Sequence, residues 1–261
     1  MRKILLFLFV SSLILQSCRV VPISGRPQLI LRSEKKIIEK SKEQYYAQVD
    51  NSCKGEAPLS KEDVVKVGNN MAKAIDTYFE DNYGKNRIKG FKWEFNMNDD
   101  EAINAFCYPG GKIMFNSGIM PVCQDETGIA TVMGHEIAHA IARHGNERMS
   151  RGLLTTIVLF PVLIVSVVYT GSTFLFDITK MGADLGMLRH SRAHEKEADK
   201  LGLVFMAMAG YNPEKAIDFW VRMKEESKGN VPTLLSTHPS DEKRIRNLKK
   251  FLPEAMKYYK A

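Results

Sequence analysis

Apolar residues recur at three- and four-residue steps through several stretches of the chain, a spacing that predicts amphipathic helices. The clearest stretch follows Ser60 and consists of Val64, Val67, Met71, Ile75 and Phe79. Similar patterns predict helices from near residue 33, from about 194 to 209, from 213 to about 227, and from 240 to the C-terminus. Another is expected between Asp125, which can cap it, and Gly145, which can end it.

Two further stretches alternate or run apolar in a way that predicts strands. FKWEFNMN places Phe91, Trp93, Phe95 and Met97 on one side. AINAFCY and KIMFNSG form a second extended pair, separated by a turn signal at 109–111. The predicted fold class is therefore α+β, mostly helical with a short antiparallel sheet.

The chain begins MRKILLFLFVSSLILQSC, which combines a basic start, an apolar stretch from Ile4 to Leu15 and small or polar residues before Cys18. This is the organisation of a secretory signal peptide, and it is too short for a stable transmembrane helix. Its end, LQSC, resembles the bacterial lipoprotein box. The resemblance implies lipidation of Cys18 and attachment to a membrane facing the periplasm. A disulfide or free thiol at Cys18 is the alternative.

The predicted organisation follows from that start. Residues 1–17 are the signal peptide, 18–32 a lipidated tether, and 33–261 one folded domain. Whether the membrane is the inner or the outer one is not indicated by the sequence.

The distribution of charge along the chain limits the classes of binding partner that the sequence predicts. The formal net charge is +7, but Lys and Arg alternate with acids, as in EKKIIEKSKE. Nucleic acid is therefore not an expected partner.

Beyond Cys18 the chain has Cys53, Cys107 and Cys123, so at most one disulfide closes within it. If a disulfide forms, Cys107 with Cys123 is the expected pair, and burial of these cysteines as small hydrophobic residues is an equal alternative.

The stretch VMGHEIAHAIARHG carries the first candidate chemistry. His135 and His139 are four residues apart, so on a helix they share a face and can reach one ion, with Glu136 beside them. Neutral imidazoles bind Zn²⁺, and the adjacent carboxylate can take a proton from a water that attacks a peptide carbonyl. An ordinary Ala-rich helix that happens to carry histidines is the alternative.

A catalytic zinc usually has three protein ligands, so another donor is required. The HExxHxxGxxH class is excluded, because Ala142 and Gly145 stand where that class has Gly and His. SRAHEKEADKLG instead places Glu195 and Asp199 four residues apart on one helix face. Glu195 can bind zinc while Asp199 accepts a hydrogen bond from a ligand histidine, whereas Glu197 points elsewhere. A solvated charged helix is the alternative.

HEIAH followed by SRAHEKEAD resembles the gluzincin metallopeptidases of family forty-eight, which include HtpX, BepA and LoiP. The resemblance covers nearly all of the proposed mature domain. It implies a zincin-like zinc endopeptidase with one Zn²⁺ per chain, in which His135, His139 and Glu195 are the ligands and Glu136 is the general base.

The same resemblance implies two further parts of the site. NAFCYPGGKIMFNSGIM is similar to the family's strand pair, which implies that an edge strand binds substrate by backbone pairing. That strand would comprise Lys112, Ile113, Met114, Phe115 and Asn116. STHPS is similar to the loop whose histidine approaches the metal, so His238 is implied to stabilise the oxyanion or to act as a removable fourth ligand. A structural hairpin and a loop histidine preceding a helix cap are the alternatives.

From Leu153 to Phe176 the chain has no charged residue and is long enough to span a bilayer. A single crossing would separate His135 and His139 from Glu195, so the run is expected to return to its starting side. It would do so as a hairpin broken near Pro161 or Gly171, or as a lid. Membrane contact and burial within the protein are both open.

Together these features predict a membrane-anchored, zinc-dependent endopeptidase of the bacterial periplasm. Its substrates would be unfolded or misassembled envelope proteins, and its role protein quality control. The alternative is a chaperone or assembly factor that binds extended chains and keeps zinc mainly for structure.

Overall fold

The computed structural model describes residues 18–49, 59–84, 88–226, 232–238 and 242–260, so the expected signal peptide lies outside it. The strands are β1 (Cys18–Val20), β2 (Pro27–Leu29), β3 (Glu94–Asn98), β4 (Ala105–Tyr108) and β5 (Lys112–Asn116). The helices are α1 (Glu34–Tyr46), α2 (Lys61–Tyr83), α3 (Met120–Cys123), α4 (Glu126–Ile141), α5 (His144–Thr170), α6 (Phe174–Met208), α7 (Lys215–Glu226), α8 (Thr233–Thr237) and α9 (Glu242–Ala255). The α+β, mostly helical class is confirmed.

The chain forms two compact units. The first comprises the described part of Met1–Glu34 together with Arg143–His194. The second comprises Lys35–Ala142 and Glu195–Ala261.

Residues 18–32, expected to be a tether, are folded in the first unit. β1 and β2 pair antiparallel, and Gly25 adopts a left-handed conformation (φ 68°) in the turn between them. Val21 is fully buried, and the Leu31 N–H donates a hydrogen bond to the Ser150 hydroxyl of α5 at 2.9 Å. This segment, which contains Pro22, Gly25 and Pro27, thus builds a tight hairpin.

A fully buried carboxylate, Glu147, joins the parts of the first unit. Arg26 donates to both of its oxygens, at 3.1 and 2.9 Å. His190 Nε2 and His194 Nε2 each lie 3.1 Å from it. Burial alone would raise the pKa of Glu147, but the contacts with His194 and Arg26 hold that pKa far below its ordinary range. Glu147 is therefore ionised and links the β1–β2 hairpin to α5 and to the first part of α6.

The uncharged run from Leu153 to Phe176 forms the middle of a helical hairpin. α5 ends at Gly171 (φ 65°) and α6 begins three residues later. At the base of the hairpin the rings of His144 and His194 stack with centroids 4.0 Å apart. The run therefore returns to its starting side, as the zinc hypothesis requires. Its break lies at Gly171, while Pro161 is accommodated inside α5.

The sheet of the second unit corrects the predicted substrate strand. Its order is β3-β5-β4, with β3 parallel and β4 antiparallel to β5. Lys112, Ile113, Met114, Phe115 and Asn116 thus form the central strand, and all five are buried. Both sides of its backbone are already paired, so it has no free edge. The turn between β4 and β5 predicted their pairing, but the local sequence did not predict that β3 pairs with the other side of β5.

The helices around the sheet follow the apolar pattern closely. Ser60 and Asp63 form a capping box at the start of α2, whose buried face includes the five predicted residues from Val64 to Phe79. The Asp125 side chain caps α4 by accepting from the Gly128 N–H at 2.8 Å. β4 and α2 both pack against α4, which places α4 in the core.

The predicted end of α4 was wrong, and the structure decides between the two alternatives for Cys107 and Cys123. α4 ends before Ala142 and the chain turns at Arg143, which has a left-handed conformation (φ 54°), so Gly145 lies inside α5. Cys107 and Cys123 are free thiols and not a disulfide pair. Burial raises the pKa of both thiols, which are therefore uncharged.

α4 and α6 approach each other closely where two glycines meet. A Cβ atom on Gly134 would lie 2.7 Å from the Gly202 carbonyl oxygen, and one on Gly202 would lie 2.8 Å from the backbone nitrogen of His135. Both obstacles are backbone atoms, which cannot swing aside as a flexible side chain can. The glycines therefore set the separation of these two helices.

Gly134→Ala and Gly202→Ala are each expected to unfold at a lower temperature and to bind zinc more weakly, because the added Cβ pushes the two helices apart. Overpacking of this kind typically costs about 1–3 kcal/mol. Gly182→Ala is the matched control, since that helical glycine has nothing within 4 Å of its Cβ position. Its helix propensity should improve. Thermal unfolding followed by circular dichroism makes the comparison, and equal midpoints for all three variants would contradict the close approach.

Candidate active site

α4 brings its polar residues into an apolar interior. Every residue from Gly128 to Ile141 is buried, including His135, Glu136 and His139. Buried imidazole and carboxylate groups must find partners, because leaving them unpaired costs several kcal/mol. The partners come from α6 and from the segment that follows α8.

Four potential donor atoms converge on one point. His135 Nε2 and His139 Nε2 are 3.2 Å apart, and each lies 3.4 Å from a different oxygen of Glu195. His238 Nδ1 lies 3.2 Å from His135 Nε2 and 2.8 Å from Glu195 Oε2. The structure thus brings together His135, His139 and Glu195, predicted as ligands, with His238 beside them.

This donor set fits zinc. Donors held about 2.0–2.1 Å from a tetrahedral Zn²⁺ are about 3.3–3.4 Å from each other. The separations among His135, His139 and Glu195 are 3.2–3.4 Å. In addition, Glu195 Oε1 is buried and has no hydrogen-bond partner among the described residues. A cation held between the two imidazole nitrogens would bind both of them and would also pair with this carboxylate oxygen.

The ionisation state of Glu195 agrees with this role. Burial alone would raise its pKa, but the adjacent imidazoles of His135, His139 and His238 hold the pKa well below its ordinary range. Glu195 is therefore a carboxylate, the form that binds metal.

Asp199 and Glu136 occupy the two other predicted positions. Asp199 Oδ1 lies 3.0 Å from His135 Nδ1, the ring nitrogen directed away from the donor cluster. Glu136 is adjacent to the cluster, and its Oε1 is buried without a hydrogen-bond partner among the described residues. His238 Nε2 is 3.6 Å from that oxygen. Glu136 thus keeps an oxygen available for a proton.

Comparison with known proteins agrees with this geometry. The sequence profile described as Peptidase family M48 matches residues 59–252. The chain belongs to peptidase family M48.

Individual relatives come from bacteria and from mitochondria. The chain is 35% identical to mitochondrial metalloendopeptidase OMA1 of Saccharomyces cerevisiae, over 77% of this chain and 58% of that protein. It is 33% identical to a putative beta-barrel assembly-enhancing protease of Vibrio cholerae, over 58% of this chain and 33% of that protein. Human mitochondrial metalloendopeptidase OMA1 is 27% identical, over 91% of this chain and 46% of that protein. The chain therefore spans from a third to three fifths of these relatives.

One residue of this M48 site was missed by sequence reasoning. Arg244 of α9 is buried, and its Nη2 donates to Asp199 Oδ1 at 2.6 Å and lies 3.0 Å from His135 Nδ1. Its Nη1 donates to the His238 carbonyl oxygen at 3.2 Å, and its guanidinium stacks 3.3 Å above the Trp220 ring. Arg244 therefore connects the carboxylate behind His135 with the backbone of His238.

The sequence held only a weak signal for Arg244. Arg244 lies four residues before Leu248, on the buried face of α9, but DEKRIRNLKK has several basic residues that are exposed. Glu197, expected to point away from the site, is also buried. Charged residues inside charged stretches are hard to assign because their burial depends on distant partners.

Arg244→Ala is expected to weaken zinc binding by roughly 10–100-fold, the range found for groups that support a ligand histidine. Without the guanidinium, Asp199 loses the donor that holds it against His135. Arg244→Lys should be intermediate, because it keeps the charge but not the planar fork. Zinc affinity is measured by competition with a chelator.

Arg246→Ala is the control on the same helix, since that side chain is 67% exposed and 3.7 Å from its Glu242 partner. Circular dichroism checks that all variants fold. Folded Arg244→Ala with unchanged zinc affinity would contradict the supporting role.

Proposed function

We propose that this M48 family member is a zinc-dependent endopeptidase, membrane-anchored in the bacterial periplasm. Its substrates are unfolded or misassembled envelope proteins. The observation that carries the hydrolytic part is the convergence of His135, His139 and Glu195 beside Glu136, whose buried Oε1 has no hydrogen-bond partner among the described residues. This arrangement combines a metal-binding donor set with a general base, which is the combination that peptide hydrolysis requires.

Zinc, when bound by His135, His139 and Glu195, supplies Lewis-acid polarisation of the scissile carbonyl. Glu136 takes a proton from the attacking water and then delivers it to the leaving amine nitrogen. Asp199 and Arg244 keep the His135 ring turned toward the donor cluster.

His238 has two roles compatible with its place. Its ring reaches both Glu195 and the neighbourhood of Glu136. It can stabilise the negative charge that develops on the carbonyl oxygen, or it can fill the fourth donor position until substrate displaces it.

Because β5 is the central strand, we propose that substrate pairs with the edge strand β4 instead. The Asn116 N–H donates to the Asn104 carbonyl, so in the antiparallel alternation the backbone groups of Ala105 and Cys107 face away from β5. β4 packs against α4, the helix that carries the proposed base Glu136. A substrate added as a strand to this edge would be held by its backbone, with little dependence on its side chains.

The proposed membrane location is inferred from the N-terminal sequence. After removal of a signal peptide over 1–17, lipid on Cys18 would hold the chain 18–261 at the periplasmic face of a membrane. Similarity to a beta-barrel assembly-enhancing protease of Vibrio cholerae supports a role in the cell envelope. Mass spectrometry of the N-terminal peptide tests the lipidation, and an unmodified Cys18 in isolated membranes would refute it.

Glu136→Gln is expected to retain zinc while losing at least about 10²-fold in cleavage of an unfolded protein, because the variant has the same shape but no base. Zinc content and release of peptides from a denatured substrate are measured on the same samples. In this variant an uncleaved peptide should protect the amides of Ala105 and Cys107 from hydrogen exchange.

The same variant separates the protease from a chaperone that binds extended chains. A protease loses its function in cells with Glu136→Gln, whereas a binding protein keeps it. Equal cleavage by the variant and the wild type would remove the enzymatic proposal.

A further inference from the structure

The first unit carries an apolar hairpin, defined as Leu153–Leu188 with its turn at Gly171. Within the described residues, His144–Thr170 is the one helix long and apolar enough to cross a membrane, and only 6% of its most apolar window is buried. A core helix of this composition would be largely covered by protein. The exposed apolar surface of α5 therefore requires a contact that the described residues do not supply.

The exposed face of α5 is wider than a single protein partner requires. Its large exposed apolar residues are Ile157, Val158, Phe160, Ile164, Val165, Val167, Val168 and Tyr169. At 3.6 residues per turn these positions cover an arc of about 200° around the helix. A helix packed on one neighbour usually presents a stripe about 100° wide. An occupant that surrounds α5 on most sides fits this face better than one helix or sheet does.

The returning arm, the first part of α6, is amphipathic. Its exposed apolar residues are Phe174, Leu175, Ile178, Met181, Leu185 and Leu188. Its charged residues in the same stretch lie on a different side and are mostly paired. Lys180 Nζ is 2.7 Å from Asp184, and the Thr173 hydroxyl donates to Asp177 at 2.8 Å. Pairing is how ionisable groups are tolerated in or near a bilayer.

The dimensions and ends of the apolar hairpin match a bilayer. The apolar part of α5 is about 27 Å long at 1.5 Å per residue, close to a hydrocarbon core of about 30 Å. At the tip, Tyr169 is 82% exposed and Phe174 69% exposed. At the base, Arg148, Arg189 and Arg192 are exposed. Aromatic residues at one end and basic residues at the other suit the two interfaces of an anionic membrane.

We propose that the apolar hairpin inserts into a lipid bilayer tip first, with both arms entering from the same side, as a membrane attachment separate from any lipid on Cys18. This proposal extends the membrane location proposed above and is independent of the hydrolytic reaction. Attachment at two points would hold the first unit against the membrane even where acylation is incomplete.

The test uses the chain from residue 18 with Cys18→Ala, so that no acyl chain contributes. This protein is expected to float with vesicles of phosphatidylethanolamine and phosphatidylglycerol. Replacing Ile157, Val158, Val165 and Val168 together with Gln should reduce the floating fraction at least tenfold. Retained flotation by this four-site variant, or no flotation of the Cys18→Ala chain, would overturn the proposal.

The matched control replaces the polar side of the returning arm, with Asp177→Asn, Lys180→Gln and Asp184→Asn, and should still float. Cleavage of a soluble unfolded protein without vesicles reports folding, and both variants should keep it. Sedimentation without lipid tests self-association. A stable oligomer that the four-site variant dissociates would assign the face to a second copy and also overturn the proposal.

Discussion

The structure depends on burying one ionised carboxylate between two imidazoles. Glu195 comes from α6 and the imidazoles of His135 and His139 from α4, and the three meet only because Gly134 and Gly202 let the two helix backbones approach closely. The buried charge makes this arrangement costly without a cation, since each unpaired buried group destabilises the fold. Metal binding and helix packing are therefore coupled, and the close approach of the helices is both a structural and a chemical requirement.

A second set of contacts keeps this centre oriented. Asp199 holds the outer nitrogen of His135, and Arg244 holds Asp199 while it stacks on Trp220. The same guanidinium bonds the backbone of His238, so the support of a predicted ligand and the position of the loop histidine depend on one side chain. Such outer contacts determine ring orientation and ligand basicity. They also explain why a buried arginine is tolerated, because each part of its planar fork has a partner.

Local patterns predicted the helices, the cap at Asp125 and the donors on α4 and α6, because helical spacing places residues four apart on one face. The predictions that were wrong concerned features that depend on contacts between residues distant in sequence. β5 is central because β3 joins it from outside the hairpin, and residues 18–32 are folded because Glu147 and Ser150 of α5 bind them. Arg244 could not be distinguished from its exposed neighbours, because the sequence around it does not indicate its partner Asp199, which lies 45 residues earlier.

Zinc-edge X-ray absorption, combined with an anomalous difference map of the metal-loaded protein, tests the central claim most directly. The account predicts one zinc with two imidazole nitrogens at about 2.0–2.1 Å and a carboxylate oxygen at about 2.0–2.2 Å. The map should place it between His135, His139 and Glu195. Zinc found instead at the other cluster of potential ligands, Glu147 with His190 and His194, or a spectrum unchanged by His139→Ala, would contradict the account.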